Sequence, residues 1–314
     1  MNHSDEATGI AAVRPPEPSG RLLHLGVMRF SGTDAAGFLQ GQLSNDTRRL
    51  TAGPLLAAYS SPQGRVLAVM HLLAHTDGIL AVLPREVIAA TLEQMRRYVL
   101  RAKVQIEDIS HRCVLLGVHG ASALSGAALS VPDERSPQGA EIAVYPVGPS
   151  SGRSPTGRFW VIDERLAPTS LDGLDGDPLG VENAWRLADI RAGLPQIYTA
   201  TRDLFVAQML NLDLVDGISF SKGCFTGQEI IARTQHLGRV KRRLFRLGLP
   251  AGDWQIGQML HLTDGRSGRL VEFARTASGF EALAVLGDAS PADAPAAIDA
   301  RDLPLPYSLP PSRA

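Results

Sequence analysis

The most unusual segment of the chain reads Lys222-Gly223-Cys224-Phe225-Thr226-Gly227-Gln228-Glu229. It places a lysine, a cysteine, two glycines, a glutamine and a glutamate in a loop before a predicted helix, Gln228–His236. A thiolate just before a helix N-terminus, with a lysine two residues away, is expected to be stabilised by the helix dipole and the ammonium. We therefore take Cys224 and Lys222 as catalytic candidates. The alternative is a cysteine that is merely buried in an N-cap loop.

The composition excludes several classes of protein. The 314 residues include 31 Lys and Arg and 32 Asp and Glu, which gives a net charge of −1 and excludes a histone-like nucleic-acid binder. With 44% hydrophobic residues the chain can bury a sizeable core. Cys113 and Cys224 are the only cysteines, so a disulfide scaffold and a self-contained four-cysteine metal site are both excluded. Cys113 lies in an apolar run and is predicted to belong to the core.

Membrane, DNA and metal partners are not expected. No apolar run approaches the roughly 18 residues needed to span a bilayer. The first residues, 1–20, include Asp5, Glu6 and several prolines, which is typical of neither a signal peptide nor an Arg-rich transit peptide. The histidines show no metal-ligand spacing. We therefore expect a cytoplasmic protein without a metal site.

Apolar periodicity outward from the loop predicts an α+β chain, because helices and strands do not alternate regularly. The predicted helices are Ser31–Leu43, Val87–Leu100, Val181–Ala192 and Gln228–His236. The predicted strands before residue 240 are Leu55–Tyr59, Val66–Leu73, Ile79–Leu83, Val104–Ile109, Cys113–Val118 and Ile142–Val147, the last within a Pro/Gly-rich loop region from Val131 to Gly157. Those after it are Leu244–Leu249, Met259–Leu262, Ser267–Phe273 and Ala282–Leu286.

The same signals divide the chain into four parts. Residues 1–20 are predicted to form a flexible tail, and residues 21–240 an α+β region. The short strands of residues 241–288, separated by Gly and Asp turns, indicate a small β-barrel. Residues 289–314 form a Pro/Ala-rich tail that is predicted to be mostly irregular.

A run of basic residues begins in the last predicted helix. The basic candidates for binding an anion or RNA are Arg233, Arg239, Lys241, Arg242 and Arg243. They fit phosphate, a polyglutamate tail or an RNA backbone, but a solvated helix end explains them equally well. Few aromatic residues lie among them, so a stacking platform for single-stranded nucleic acid is unsupported.

Trp185 lies on the predicted helix Val181–Ala192. It is expected to pack in the core, or alternatively to form a wall for a flat ring.

These residues together resemble the YgfZ-type folate-binding proteins, which are relatives of the glycine-cleavage T protein, an aminomethyltransferase. The loop matches the signature K-G-C-[FY]-x-G-Q-E. Five further segments resemble the family and extend the likeness over about residues 21–308. They are Phe38–Gln42, the turn Gly64-Arg65, the helix Trp185–Pro195, the segment Gly217–Phe220 before the signature and the C-terminal segment Leu303–Ser308.

The resemblance implies a fold, a cofactor and partners. The fold is α+β, with two α+β subdomains and a C-terminal β-barrel around a central folate-binding opening. The cofactor is tetrahydrofolate or another folate derivative. The implied role is assembly or repair of iron–sulfur proteins, including radical enzymes that modify tRNA, with tRNA itself contacted weakly or indirectly. The implied folate-binding positions are Trp185, Leu25, Asp189, Gln228 and Glu229, and Cys224 faces the opening.

Some positions depart from the related families. Leu25 aligns with an N-terminal tryptophan that contacts folate in bacterial members. The aminomethyltransferase branch carries an aspartate in the strand after the Gly64-Arg65 turn, whereas Val66–Met70 has no carboxylate, and Arg191 replaces a glutamate. Without that acid, a cationic transfer intermediate loses its stabilising group, which argues against aminomethyl transfer.

Three functions are therefore compared. The first is a folate-binding factor for iron–sulfur proteins. The second is a folate-dependent aminomethyl or methyl transferase. The third is a tRNA-binding module that uses the basic run from Arg233 to Arg246. The sequence leaves open whether the protein is an enzyme.

Overall fold

A computed structural model describes residues 18–120, 142–147, 157–164, 177–237, 240–288 and 297–310. Its helices and sheets are mixed along the chain, which confirms the α+β class. The helices are α1 (Ala35–Gln42), α2 (Arg85–Arg96), α3 (Pro178–Ala192) and α4 (Gln228–Leu237). Within these described ranges, none of the helices combines the length and the apolar character needed to cross a bilayer.

The first sheet has five antiparallel strands in the order β3-β4-β5-β2-β6. Its strands are β2 (Leu25–Ser31), β3 (Leu55–Ser60), β4 (Val66–His75), β5 (Gly78–Pro84) and β6 (Gln105–Asp108). Alternate residues of a strand face opposite sides of a sheet. Met70 therefore packs in the core beneath α1 and α2, whereas Val69 and Leu73 face the rest of the molecule. Both faces are covered, which explains why β4 is apolar along nearly its whole length.

The second sheet has four strands in the order β1-β7-β9-β8. They are β1 (Gly20–Arg21), β7 (Val114–His119), β8 (Ile142–Pro146) and β9 (Arg158–Asp163). Its inner face contributes Trp160 to a core shared with Val27 of the first sheet. The two sheets are therefore packed against each other through buried side chains.

The third sheet has five strands in the order β11-β12-β13-β10-β14. They are β10 (Arg242–Leu249), β11 (Met259–His261), β12 (Arg266–Thr276), β13 (Gly279–Asp288) and β14 (Arg301–Leu303). Leu262, just after β11, forms a parallel bridge with Ile298, just before β14. This bridge connects the two edges of the sheet at a single point. The sheet has its own apolar core, but one isolated bridge is not the continuous strand pairing of a closed barrel.

Helix α3 lies where the three sheets meet. Its N-cap is Asp177, whose side chain accepts a hydrogen bond from the Gly180 amide at 2.9 Å, and Pro178 occupies the first turn. Trp185 on this helix packs with residues of the first and second sheets, and Ile190 packs with residues of the first and third. The helix therefore holds the three sheets together.

The structure adds strands that sequence patterns did not predict. β1 and β14 have only two and three residues, too few for a detectable periodicity. β14 pairs with β10, so part of the tail predicted to be irregular belongs to the third sheet. β2 and β9 are longer, and neither was predicted: β2 contains Gly26 and is followed by Gly32, whereas β9 has a detectable apolar run. Most of residues 1–20, much of the loop region 131–157 and the segment 165–176 lie outside the described residues.

Gly117 on β7 should not tolerate a larger side chain. A Cβ atom there would lie 2.5 Å from Cε3 of Trp185 and 2.9 Å from Cδ1 of Leu22. We expect Gly117→Ala to lower the free energy of unfolding by about 1–3 kcal/mol through overpacking. Urea denaturation measures this change.

Gly37→Ala is the matched control for this measurement. Gly37 lies inside α1, and a Cβ atom there meets nothing within 4 Å. This substitution should raise the stability by about 0.5–1 kcal/mol, because alanine loses less backbone entropy in a helix. Equal effects of the two substitutions would contradict the packing of β7 against Trp185.

Candidate functional site

The Lys222 side chain connects the signature loop to the C-terminal end of α1. Its ammonium is buried and donates hydrogen bonds to the carbonyl oxygens of Gln40, Leu43 and Asn45 at 2.7, 2.6 and 2.9 Å. The last carbonyls of a helix have no partner within the helix, and a cation there also interacts favourably with the helix dipole. We call Lys222 and these three carbonyls the Lys222 anchor.

The Lys222 anchor corrects one prediction. An ammonium has three N–H donors, and all three of Lys222 are used by carbonyl oxygens. It therefore has no donor left for the Cys224 thiolate. Burial lowers the pKa of Lys222 to about 8, so the side chain is still mainly protonated at neutral pH. With its donors used in this way, Lys222 fits a positioning role, while catalysis by Lys222 or by Cys224 stays a prediction.

The chain just before the signature loop is attached to the same region of the first sheet. Ser44 Oγ donates to the Gly217 carbonyl at 2.6 Å and accepts a hydrogen bond from the Ala58 amide. Asn45 Nδ2 donates to the carbonyls of Leu56 and Asp216. Because these groups are buried, each lost hydrogen bond would leave a costly unpaired atom.

The backbone conformation and close contacts of Gly227 explain why the signature has a glycine at this position. Its φ is +81°, and a Cβ atom there would lie 2.7 Å from the Ser61 carbonyl oxygen. The residue also packs against Gly64 in the turn that leads into β4. Thr226 completes the contact, since its amide donates to the Gly41 carbonyl at 3.2 Å. The loop is thus fixed between α1 and the start of β4.

Cys224 is exposed at the surface of this fixed loop. Gln228 Oε1 accepts a hydrogen bond from the Phe225 amide at 3.3 Å, and Glu229 is exposed in the first turn of α4. These two predicted folate-binding positions therefore lie beside Cys224, at the start of α4. The other cysteine, Cys113, is half-buried against the core of the first and second sheets, where burial raises its pKa to about 12.

A buried polar cluster lies where α3 meets all three sheets, and we call it the junction network. It consists of side chains that are buried or nearly so and that form hydrogen bonds or ring contacts with one another. Its members are His71, Arg158, Trp160, Trp185, Arg186, Asp189, Gln196, Tyr198 and Glu272.

Trp185 is fully buried within this network. The Arg158 guanidinium lies 4.6 Å from the centre of its ring, and the ring centre of Trp160 is 6.2 Å away. Leu25, aligned with a folate-contacting tryptophan of the family, is buried in the same apolar cluster. The structure thus brings Trp185 and Leu25 together. Because Arg158 covers the ring, a flat ligand can stack on Trp185 only if Arg158 moves.

Asp189 also belongs to the junction network, and its partner is Arg158. Arg158 Nη2 donates to the Asp189 carboxylate at 2.7 Å, and both side chains are buried. Burial raises the pKa of Asp189, while the Arg158 charge opposes that change. The predicted pterin carboxylate is therefore already paired with a guanidinium.

Glu272, on β12, is the carboxylate that the third sheet contributes to the junction network. Its Oε1 accepts hydrogen bonds from the Tyr198 hydroxyl at 2.5 Å and from Arg186 at 3.1 Å. Burial raises the pKa of Glu272 to about 7, partly offset by Arg186. His71 lies on the first sheet, and burial lowers its pKa to about 3, so its ring is neutral.

Within the part of the chain that the structure describes, four buried polar atoms of the network have no hydrogen-bond partner: Nε1 of Trp160, Nε1 of Trp185, Oε1 of Gln196 and Oε2 of Glu272. Such unpaired atoms are costly in a dry core, and they are normally satisfied by water or by a ligand. Two of them are donors and two are acceptors.

Sequence reasoning missed most of this network. Arg158 and Trp160 lie on β9, which was not predicted, although the apolar run Phe159–Ile162 was a detectable signal. Glu272 was passed over as an isolated acid within a predicted strand. Only the three-dimensional packing around α3 brings these residues together.

The basic run is divided by the fold. Arg243 is half-buried and pairs with Asp213 at 2.7 Å, and Arg246 pairs with Glu281 at 2.6 Å. Arg239 lies outside the described residues. The anion hypothesis therefore depends on the exposed side chains of Arg233, Lys241 and Arg242.

Comparison with solved structures places this fold in the class of glycine-cleavage aminomethyltransferases. The chain superposes on aminomethyltransferase T from Bartonella henselae with a TM-score of 0.64, covering 87% of this chain and 79% of that protein. The two sequences are only 15% identical, so the likeness concerns the fold alone. A scan against protein-family models finds no match.

Sequence comparison is more specific. The chain is 33% identical to the tRNA-modifying protein YgfZ of Colwellia psychrerythraea over 233 residues, which is 72% of this chain and 70% of that protein. It is also 33% identical to the YgfZ protein of Edwardsiella ictaluri over 304 residues, covering 88% of each chain. The chain therefore belongs to the YgfZ family.

The Lys222 anchor should make a large contribution to stability. We expect Lys222→Met to lower the free energy of unfolding by about 3–5 kcal/mol, since it leaves three carbonyls without their charged partner. Lys103→Met, which changes an exposed lysine, is the control and should shift stability by less than about 0.5 kcal/mol. Equal stabilities of the two variants in urea denaturation would contradict the anchor.

Glu272 should make stability depend on pH. Its folded-state pKa of about 7 is above the ordinary value of 4.5, so the folded protein binds more protons than the unfolded chain between these values. Stability should therefore fall as pH rises from 5 to 8, by roughly 2–3 kcal/mol from this group. Glu272→Gln should flatten that part of the profile. Identical pH profiles of both proteins would show that Glu272 ionises normally.

Proposed function

We propose that the protein binds tetrahydrofolate between its three sheets and acts in the assembly or repair of iron–sulfur proteins, including enzymes that modify tRNA. Its YgfZ relatives carry the name tRNA-modifying protein, which supports the tRNA context and a cytoplasmic location. The observation that carries the proposal is the combination of an exposed cysteine on a rigid signature loop with unpaired polar atoms in the junction network.

The junction network fits a pterin ring in its chemistry. Tetrahydrofolate would supply one-carbon chemistry at its N5–N10 edge when bound. The indole nitrogens of Trp160 and Trp185 can donate to ring acceptors, and Gln196 Oε1 and Glu272 Oε2 can accept from ring donors. These contacts use the edge of Trp185 and so leave Arg158 on the face of its ring.

The proposed role of Cys224 follows from its exposure. A thiolate is a ligand for iron. One cysteine supplies one ligand, so the remaining ligands of a cluster would come from a client protein or from small thiols. The loop also packs through Gly227 against the turn into β4, and this contact supports a position for Cys224 near the start of that strand.

Aminomethyl transfer is the weaker candidate. β4 runs from Val66 to His75 without a carboxylate, so the acid that would stabilise a cationic intermediate is missing from this strand. Arg191, at the position of a family glutamate, forms an ion pair with Glu281 of β13 at 2.9 Å. It therefore helps to hold α3 on the third sheet. Turnover of a lipoyl-aminomethyl substrate would reverse this conclusion.

Folate binding is tested by titration of tryptophan fluorescence with tetrahydrofolate. Trp185→Phe removes one unpaired donor and should weaken binding about tenfold, the effect of losing a hydrogen bond to a ligand. Trp254→Phe is the matched control, because the Trp254 indole lies near the surface of the third sheet and already donates to the Pro250 carbonyl. Failure of the wild-type protein to bind tetrahydrofolate would overturn the proposal.

The role of Cys224 is tested in a strain with defective iron–sulfur enzymes. Cys224→Ala should bind tetrahydrofolate as the wild type does but fail to restore the activity of those enzymes. Cys113→Ala serves as the control, because this cysteine is half-buried and its pKa is raised to about 12. Full restoration by Cys224→Ala would remove the thiol from the proposed function.

Direct tRNA binding is a second candidate that the relatives' name favours. Three exposed cations, Arg233, Lys241 and Arg242, are available for phosphate contacts. Neutralising all three should weaken tRNA affinity and reduce the slope of log affinity against log salt by about 2–3. An affinity that does not change with salt would exclude this mode of binding.

A further inference from the structure

A second group of polar side chains lies between the first and second sheets and shares no member with the junction network. Arg29 is on β2, His75 ends β4, Tyr145 is on β8, and Glu164 follows β9. Arg29 Nη2 donates to Glu164 Oε1, and His75 Nε2 lies 3.8 Å from the same oxygen. Glu164 is partly exposed, whereas the His75 and Tyr145 side chains are almost fully buried.

Two donors in this group have no partner among the residues that the structure describes. The Tyr145 hydroxyl and Arg29 Nε are both buried, and neither makes a hydrogen bond there. Burial, reinforced by the Glu164 charge, raises the pKa of Tyr145, so its hydroxyl keeps its proton. Burying a donor without an acceptor is costly. The two unpaired donors therefore indicate that Glu164 satisfies this site only in part.

His75 supplies a further donor. Its Nδ1 accepts a hydrogen bond from the Asp77 amide at 3.2 Å, so the proton of the neutral ring is on Nε2, the nitrogen nearest Glu164. Burial lowers the pKa of His75, which favours this neutral form. A guanidinium, an imidazole N–H and a phenol O–H are thus gathered near one carboxylate. Such a set of donors is suited to an oxyanion.

We propose that Arg29, His75 and Tyr145 form a binding site for the carboxylate or phosphate group of a small ligand, and that Glu164 occupies this site in its absence. The Glu164 carboxylate reaches the site from its open side, where the side chain is 24% exposed. An anion with several oxygens can accept from the Tyr145 hydroxyl and Arg29 Nε as well as from the groups that face Glu164.

The site shares no residue with the one proposed for folate, although Tyr145 is the direct antiparallel partner of Trp160. Arg29 lies four residues beyond Leu25 on β2, which is about 13 Å along a strand. Glu164 lies four residues beyond Trp160, where the chain leaves β9. Cys113 is also nearby, but in the part of the chain that the structure describes, no three His, Cys, Asp or Glu side chains are arranged to hold a metal ion. The positive charge of Arg29 also favours an anion over a metal cation at this site.

The test is calorimetric titration of Glu164→Gln with inorganic phosphate and, separately, with glutarate. The substitution keeps the shape of the side chain but removes the competing charge. We expect it to bind at least one of these anions about tenfold more tightly than the wild type, the size of one charge-assisted hydrogen bond. The preferred anion identifies the ligand as a phosphate or a carboxylate compound. Failure of the folded variant to bind either anion would overturn the proposal.

Tyr145→Phe provides the second test. Added to Glu164→Gln, it should weaken anion binding about tenfold by removing the free hydroxyl. Tyr59→Phe is the matched control, since Tyr59 is also buried with an unpaired hydroxyl but lies in the core on the other face of the first sheet. Equal effects of the two substitutions on anion affinity would contradict the site.

A thermal-shift measurement covers the case in which Glu164→Gln does not fold. Wild-type protein should gain thermal stability in the presence of the preferred anion, and Tyr145→Phe alone should lose most of that gain. A gain that is the same in wild type, Tyr145→Phe and Tyr59→Phe would show only a general salt effect and would overturn the proposal.

Discussion

One buried ammonium organises the most diagnostic part of this protein. Lys222 gives all of its N–H donors to the carbonyls of Gln40, Leu43 and Asn45, at the end of α1. Nearly 180 residues of sequence separate the two partners, yet they fix each other's backbone. The lysine and the glycines of the signature thereby hold the loop in place, and Cys224 is exposed on it.

A second constraint acts at α3, where all three sheets meet. Charged side chains are buried there in pairs, Arg158 with Asp189 and Arg186 with Glu272. A buried charge without its partner costs several kcal/mol, so these pairs specify how the sheets pack as much as they stabilise them. Among the described residues, four polar atoms near these pairs have no hydrogen-bond partner.

Local signals were enough to predict much of the fold. The apolar run of β4 and the helix that ends at Gly193 were correctly predicted from periodicity and end signals. β9 was missed, although its apolar run was detectable, and β14 was too short to be detected. The site was harder to predict, because Lys222 acts on residues of a distant helix and Glu272 becomes unusual only when buried. A sequence reveals which residues carry chemistry but not which partners will satisfy them.

A crystal structure with bound tetrahydrofolate would test these ideas most directly. We expect the pterin ring between the three sheets, in hydrogen-bond contact with Trp185 and Glu272, while Lys222 remains on its carbonyls and the N5–N10 edge faces the loop of Cys224. The opposite result would be folate bound elsewhere on the protein, or a Lys222 ammonium that leaves the end of α1 to contact the folate. Either finding would contradict the division between a positioning lysine and an exposed reactive cysteine.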